Sequence, residues 1–195
     1  EMNRLRVQDK MVTDSMGGVL PEQPDPERFR RVLDIGSGSG SWVLEAAQTY
    51  PGMSVFGIDI SKSMIEYARQ QAAMQGVSDR VEFRVMDALR MLEYPANFFD
   101  LVNLRFGVSW VRKWDWPGLL SEMQRVTRPA GVIRVTEPDI VQTSNSSAFY
   151  KNGVASLQIM MRLANKLSEK CNKAIFMPFI QYLLPGERVR RRIGI

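Results

Sequence analysis

Short apolar runs alternate with amphipathic stretches from Arg4 to Asp139, and this alternation organises the chain. Arg4 to Ser15 reads as a helix with a patchy apolar face at Leu5, Val7, Met11 and Val12, stopped by Gly17-Gly18. Pro21, Pro24 and Pro26 then predict an extended polar linker. Val32 to Ile35 is a compact, mostly apolar run, the size of a buried parallel strand. Trp42 to Tyr50 predicts a helix ended by Pro51-Gly52, and Ser54 to Asp59 a second buried strand. Ser63-Met64-Ile65-Glu66 fits a capping box at the head of a helix that runs to Gln75. Val81 to Val85 alternates as a third strand, and Ala88–Glu93 reads as a short helical piece. Phe98 to Leu104 is a fourth strand. Asp115 caps a helix with Pro117 in its first turn and an end near Thr127. Arg128 to Gly131 is a turn, and Val132 to Glu137 a fifth strand. A polar loop, Ser144 to Ser147, precedes a helix from Ala148 to Glu169.

Strands alternating with helices predict an α/β fold: a Rossmann-like, doubly wound sheet, mainly parallel, with helices on both faces. The expected division is an N-terminal helix and linker over residues 1–30, a ligand-binding core over 31–140, and a C-terminal helical, substrate-side region over 141–195. A helix placed ahead of such a core is either a lid over the ligand site or an ordinary packing helix.

Ligands of such sheets bind beyond the carboxyl ends of the strands. The first of those ends carries Asp34-Ile35-Gly36-Ser37-Gly38-Ser39-Gly40-Ser41. Glycine has no Cβ, so the backbone turns sharply and a ligand can lie against it, beside the free N–H groups of a helix start. Ser41 stands where the third glycine of the dinucleotide fingerprint would fall, and no phosphate-loop lysine follows. The alternative is a glycine loop that only lets helix and strand pack closely. Asp59 ends the second strand, where an ionised carboxylate suits two vicinal ribose hydroxyl donors. Asp87 ends the third, where it can accept from an adenine amine while Met86 or Ala88 packs on the ring, or can cap the piece that follows. Asn103 to Phe106 and Glu137 to Asp139 end the fourth and fifth.

Composition narrows the chemistry. The chain has 195 residues, a formal charge of +5 and no histidine, so any acid–base step runs without an imidazole. A single cysteine, Cys171, excludes an internal disulfide and fits a reducing, cytoplasmic setting. The longest apolar stretch, Ala174 to Leu184, is too short to span a bilayer and is interrupted by Pro178 and Gln181. The basic excess at Arg188, Arg190, Arg191 and Arg192 reads as a solvated tail, so nucleic acid is not the expected partner. A first residue Glu1 points to a piece of a longer gene product.

With these motifs in place the stretch from Arg31 to Asp139 resembles a class I S-adenosylmethionine-dependent methyltransferase. Val32 to Gly40 resembles that family's glycine motif, Gly57-Ile58-Asp59-Ile60-Ser61 with Met64 its ribose motif, and Met86-Asp87-Ala88 its adenine motif. Phe98 to Val102 and Leu119 to Gly131 resemble its later motifs, with Ala130 in place of a usual glycine. The resemblance implies strand order 3-2-1-4-5 with a 7-6 hairpin beyond, although Asn172 to Ile195 does not read as two further strands. It implies S-adenosylmethionine as cofactor, S-adenosylhomocysteine as product, no metal, and cofactor contacts from Asp34, Gly36, Ser37, Gly38, Gly40, Asp59, Ile60, Met64, Met86, Asp87, Ala88, Asn103 and Arg105. Asn103-Leu104-Arg105-Phe106 lacks the prolines of methylases that act on base or amide nitrogens, so a small-molecule acceptor is expected, a secondary metabolite or a quinone-like ring. Phe106 and Trp110 are the substrate-side candidates; Glu137, Asp139 and Tyr150 are the candidate bases. Two other functions share the pattern: a fold relative with non-methyl chemistry, such as a cyclase or aminopropyl transferase, and a non-catalytic binding or regulatory subunit.

Overall fold

Strands that bury both faces need cover on both, and the chain supplies it by crossing over after each one. A computed structural model of the chain describes residues 2–138, 174–176 and 179–180. Its strands are β1 (Arg31–Ile35), β2 (Ser54–Asp59), β3 (Val81–Val85), β4 (Phe99–Arg105), β5 (Thr127–Pro138), β6 (Ala174–Phe176) and β7 (Phe179–Ile180). Its helices are α1 (Met2–Met16), α2 (Ser41–Thr49), α3 (Lys62–Met74) and α4 (Trp116–Val126). The order β3-β2-β1-β4-β5 is the expected one, and every pairing in it is parallel. Beyond β5, the described residues hold β6 and β7, both parallel to β5: Val132 pairs with Ala174 and Glu137 with Phe179. The rest of the expected hairpin, the helix at 148–169 and most of the 141–195 region lie outside the described residues.

Successive side chains point to opposite faces. Leu33, Ile35, Ile58, Val102, Leu104, Ile133 and Val135 therefore pack with α4 through Trp116, Leu119, Leu120 and Met123. Val32, Val55, Leu101 and Val132 pack on the other face with α2 and α3. The proline-containing segment after α1 is less of a linker than its composition predicts: Val19, Leu20 and Phe29 are buried in this second core.

Three local expectations change, each for a tertiary reason. Ser61, not Ser63, caps α3 and accepts the Met64 N–H at 3.4 Å, because Asp59 Oδ1 takes the Ser61 N–H at 2.8 Å and fixes the chain there. Residues 88–93 form a turn rather than a helical piece. Asp87 Oδ1 accepts the Leu89 N–H, and Leu92 is drawn to α4, where its N–H donates to Glu122 and its carbonyl accepts from Arg125. The turn at Arg128 to Gly131 sits inside the extent of β5 as an irregularity, with Ala130 at φ 61° and a register shift between Phe99 and Leu101. A Cβ on Gly131 would stand 2.9 Å from the Asp100 carbonyl oxygen, so the chain crosses β4 there only as glycine.

Candidate functional site

The carboxyl ends of five parallel strands meet along one edge of the sheet, and the residues singled out by sequence stand there. Gly36, Gly38 and Gly40 all have positive φ, at 69°, 51° and 77°, so the loop is a run of left-handed turns. The three do different work. A Cβ on Gly40 would stand 2.8 Å from Ala68 Cβ and 2.7 Å from the Phe83 ring, so this glycine lets α2 approach α3 and β3. A Cβ on Gly38 would meet nothing within 4 Å, so the backbone there is bare. Gly36 lies under the Trp110 indole, which comes within 3.3 Å of where a Cβ would stand. Close packing thus accounts for Gly40, whereas Gly38 leaves open space above its backbone among the described residues.

Asp59 faces this loop. Its Oδ2 accepts the Gly38 N–H at 2.9 Å and its Oδ1 the Ser61 N–H at 2.8 Å. A carboxylate has about four acceptor positions, so two backbone donors leave room for two hydroxyls. Ser37 Oγ is buried and, among the described residues, has no hydrogen-bond partner, an uncommon state for a hydroxyl. Ile60 is 71% exposed beside Asp59, whereas Met86 and Ala88 are buried and Asp87 and Met64 half-buried. Asp87 bonds its own turn and pairs with Arg90 at 3.4 Å, as the capping alternative requires.

Asp34, Asn103 and Arg105 have their side chains engaged within the protein. Asp34 is 3% exposed and accepts from Asn103 Nδ2 at 2.7 Å. Asn103 is fully buried, and its Oδ1 accepts from Arg134 at 2.9 Å. Arg134 in turn donates to Glu22 at 2.9 Å. The result is a buried relay, Asp34–Asn103–Arg134–Glu22, that ties the glycine-loop strand to the segment after α1. Burial pushes the Asp34 carboxyl up to about 7, against the pull of Arg105 and Asn103. Burial likewise lowers the Arg134 pKa, against the nearby Glu22. Arg105 pairs with Asp9 and donates to Thr13 Oγ1 at 3.3 Å, so it holds α1 against the tip of β4. Asp9, Thr13, Glu22 and Arg134 escape sequence reasoning. The one signal for Arg134 is a cation between the apolar Ile133 and Val135, and Glu22 lies 112 residues away in sequence.

At the tip of β5, Glu137 is 3% exposed, and both its carboxyl oxygens accept the Val108 N–H, at 3.3 and 3.2 Å. Burial pushes it up to about 8, opposed by the Val108 and Gly107 N–H groups. Those belong to a 3-10 turn over Gly107–Ser109, entered through Phe106 at φ 59°. Among the described residues, the Glu137 carboxyl thus meets backbone N–H groups of this turn. Trp110 is 39% exposed and Phe106 half-buried, both at this edge, whereas Asp139 and Tyr150 lie outside the described residues. No helix among the described residues is long and apolar enough to cross a membrane.

Comparison with known proteins gives a consistent result. A family model described as a methyltransferase domain matches residues 32–131, half of the chain. The demethylmenaquinone methyltransferase of Deinococcus radiodurans is 36% identical over 108 residues, which cover 55% of this chain and 43% of that protein. The chain spans about half the length of the curated relatives it matches. Among solved structures, an S-adenosyl-L-methionine-dependent methyltransferase from Methanococcus maripaludis, described as putative, superposes with a TM-score of 0.59 at 19% identity, covering 87% of this chain and 70% of that one, a likeness of fold. The [4+2]-cyclase SpnF superposes at 0.54 with 25% identity, over 69% of this chain and 51% of that one.

Proposed function

Because the chain belongs to the methyltransferase domain family, in its class I S-adenosylmethionine-dependent form, we propose that it transfers the methyl group of S-adenosylmethionine to a small-molecule acceptor, a quinone-type ring. The observation that carries the cofactor half is the pairing of a bare Gly38 backbone with an Asp59 carboxylate that keeps acceptor positions free. The partnerless Ser37 hydroxyl beside them fits the same group. The quinone-type acceptor rests on the demethylmenaquinone methyltransferases among the relatives.

When bound, S-adenosylmethionine supplies an activated methyl group on a sulfonium, which an acceptor nucleophile takes by in-line displacement, leaving a neutral thioether. The residues of this chain have the tasks of alignment and exclusion of water. Asp59 holds the ribose, Gly36 to Gly40 give the backbone surface, and Ile60, Met64, Met86 and Ala88 flank the adenine side. Trp110 and Phe106 wall the acceptor side. An acceptor that loses a proton needs a base, and with no histidine in the chain Asp139 and Tyr150 remain the candidates. A cytoplasmic setting is supported by the single cysteine.

Calorimetric titration with S-adenosylmethionine and with S-adenosylhomocysteine tests the cofactor site. Micromolar binding is expected, and Asp59→Ala should weaken it by at least about tenfold, because hydrogen bonds to a charged acceptor contribute about 1.5–3 kcal/mol. Equal affinity in the variant would remove Asp59 from the site. Incubation with a demethylated quinol then tests the transfer: a product heavier by one CH₂, formed with S-adenosylhomocysteine, is the expected outcome. The likeness to SpnF favours one second reading, ring closure on the same scaffold, which gives a product of unchanged mass and no S-adenosylhomocysteine.

A further inference from the structure

The segment between β4 and α4 carries Trp110 across the glycine loop, and its conformation is not one its own residues prefer. Phe106 adopts φ 59°, a left-handed geometry that costs a non-glycine residue about 1–2 kcal/mol. Something must hold it. Four bonds are local: the Ser109 Oγ–H and N–H donate to the Phe106 carbonyl at 2.7 and 3.2 Å, and the N–H groups of Trp110 and Val111 donate to the Gly107 carbonyl at 3.0 and 2.7 Å. The tertiary hold has two parts. The Phe106 N–H donates to the Thr136 carbonyl on β5 at 2.9 Å, before the turn begins, and Glu137 holds the turn itself, its two oxygens taking the Val108 N–H. Gly107 rests directly on that carboxyl: a Cβ there would stand 3.1 Å from Glu137 Oε1 and 2.8 Å from the Trp116 ring. The turn therefore fits only because residue 107 has no side chain, and only while something accepts its N–H groups.

Buried acids usually have a cation beside them. Asp34 has Arg105 and Arg134 within its field. For Glu137, the 3-10 turn brings the backbone N–H groups of Val108 and Gly107, Gly107 lies directly against its carboxyl, and among the described residues no charged side chain acts on it. A carboxyl so placed is not explained by charge pairing. It is explained as an acceptor for a turn that must stay in a strained shape.

We propose that Glu137 is a positioning residue, whose carboxyl clamps the Gly107–Ser109 turn and thereby sets Trp110 over the glycine loop. This rests on the assignment of that loop as the cofactor cradle. Glu137 acts through the turn, not on the reacting atoms. Its hold is strongest when ionised, since an N–H bonds a carboxylate more strongly than a carboxylic acid. The clamp thus tightens as pH rises through the range where the buried acid titrates.

Trp110 reports the clamp directly. The experiment compares tryptophan emission of the full chain from pH 6 to 9 for wild type, Glu137→Gln and Trp110→Phe, each with and without S-adenosylhomocysteine. In wild type, emission should shift with a midpoint near 8. Trp110→Phe should abolish the shift, and so should Glu137→Gln, which keeps an acceptor but cannot ionise. In wild type alone, S-adenosylhomocysteine affinity should change by at least threefold across the same midpoint. A midpoint that persists in Glu137→Gln overturns the proposal. So does a Glu137→Gln variant with unaltered emission and unaltered affinity but methyl transfer reduced by more than a hundredfold, since that is the signature of a direct base. Were wild type not to bind S-adenosylhomocysteine at all, the cofactor assignment would fail, and the emission profile without ligand would still decide whether Glu137 holds Trp110.

Discussion

Asp34 and Glu137 stand at the tips of β1 and β5, both 3% exposed, and they are kept in opposite ways. Asp34 lies at one end of a relay that passes through Asn103 and Arg134 to Glu22, with Arg105 adding a second cation to its surroundings. Among the described residues, Glu137 has only the N–H groups of a turn. The difference teaches what each end of the edge is for. The relay binds the glycine-loop strand to the segment that follows α1, and Arg105 with Asp9 binds α1 itself, so this end is braced by charge across long sequence distances. Among the described residues the Glu137 carboxyl is braced by backbone, so its hold follows its own titration.

Breaking the relay should have the largest effect. Arg134→Met leaves the Asn103 oxygen without its Arg134 donor and the Glu22 carboxylate without a cation, with Gln23 Nε2 still donating to it at 3.3 Å, at a cost of about 3 kcal/mol. Urea unfolding should show it as a lower midpoint with an unchanged slope. A loss under about 1 kcal/mol would mean that the relay is solvated and not a brace.

Freeing α1 should cost less. Asp9→Ala leaves Arg105, 8% exposed, with Thr13 as its remaining partner in this bond set. A loss of about 2 kcal/mol is expected in unfolding, in line with an unsatisfied charged group. Limited proteolysis should cut within Met2–Met16 faster than in wild type. Unchanged cleavage would show that packing through Val12 and Thr13 suffices to hold the helix.

The two acids also differ in where they make stability depend on pH. Each has a folded pKa above its ordinary value, about 7 against 3.8 for Asp34 and about 8 against 4.5 for Glu137. Between the two values the unfolded chain has released its proton while the folded chain retains it. Stability therefore falls as pH rises from about 4, until about 7 for Asp34 and about 8 for Glu137. Asp34→Asn should flatten the fall that ends near 7, and Glu137→Gln the part that continues to 8, each by on the order of 4 kcal/mol at most. Identical slopes in wild type and both variants would show that neither acid is neutral in the fold.

Much of this edge is legible along the chain. The apolar runs at Val32–Ile35 and Ser54–Asp59 are strands where their patterning places them, because a strand covered on both faces of a parallel sheet must be largely apolar regardless of its partner, and the alternating Val81–Val85 is the half-exposed strand at the sheet edge. Gly36 to Gly40 and Asp59 are equally local: a left-handed turn demands glycine, and an acid at a strand end is next to the loop its neighbour forms. The strand order follows from crossover rules and the family resemblance, and it holds from β3 to β5.

Less local features are misjudged, and each for the same reason. The helical piece at Ala88–Glu93 has adequate propensity, but Glu122 and Arg125 on α4 take its backbone groups and leave a turn. Asn103 and Arg105 lie on the right strand at the right end. Their side chains nevertheless turn to Asp34 and Arg134 in one case and to Asp9 in the other, which are partners that no spacing rule brings near. Glu137 stands at a strand tip as expected, and the proximity of Gly107 and Val108, on which the proposed clamp rests, is invisible in the sequence. Hydrophobic period and backbone permissiveness are properties of a residue and its immediate neighbours, and those the chain declares in its order. Which donor meets which buried acceptor depends on how segments up to 112 residues apart come to lie together, and that is settled only when the sheet has closed over its two cores.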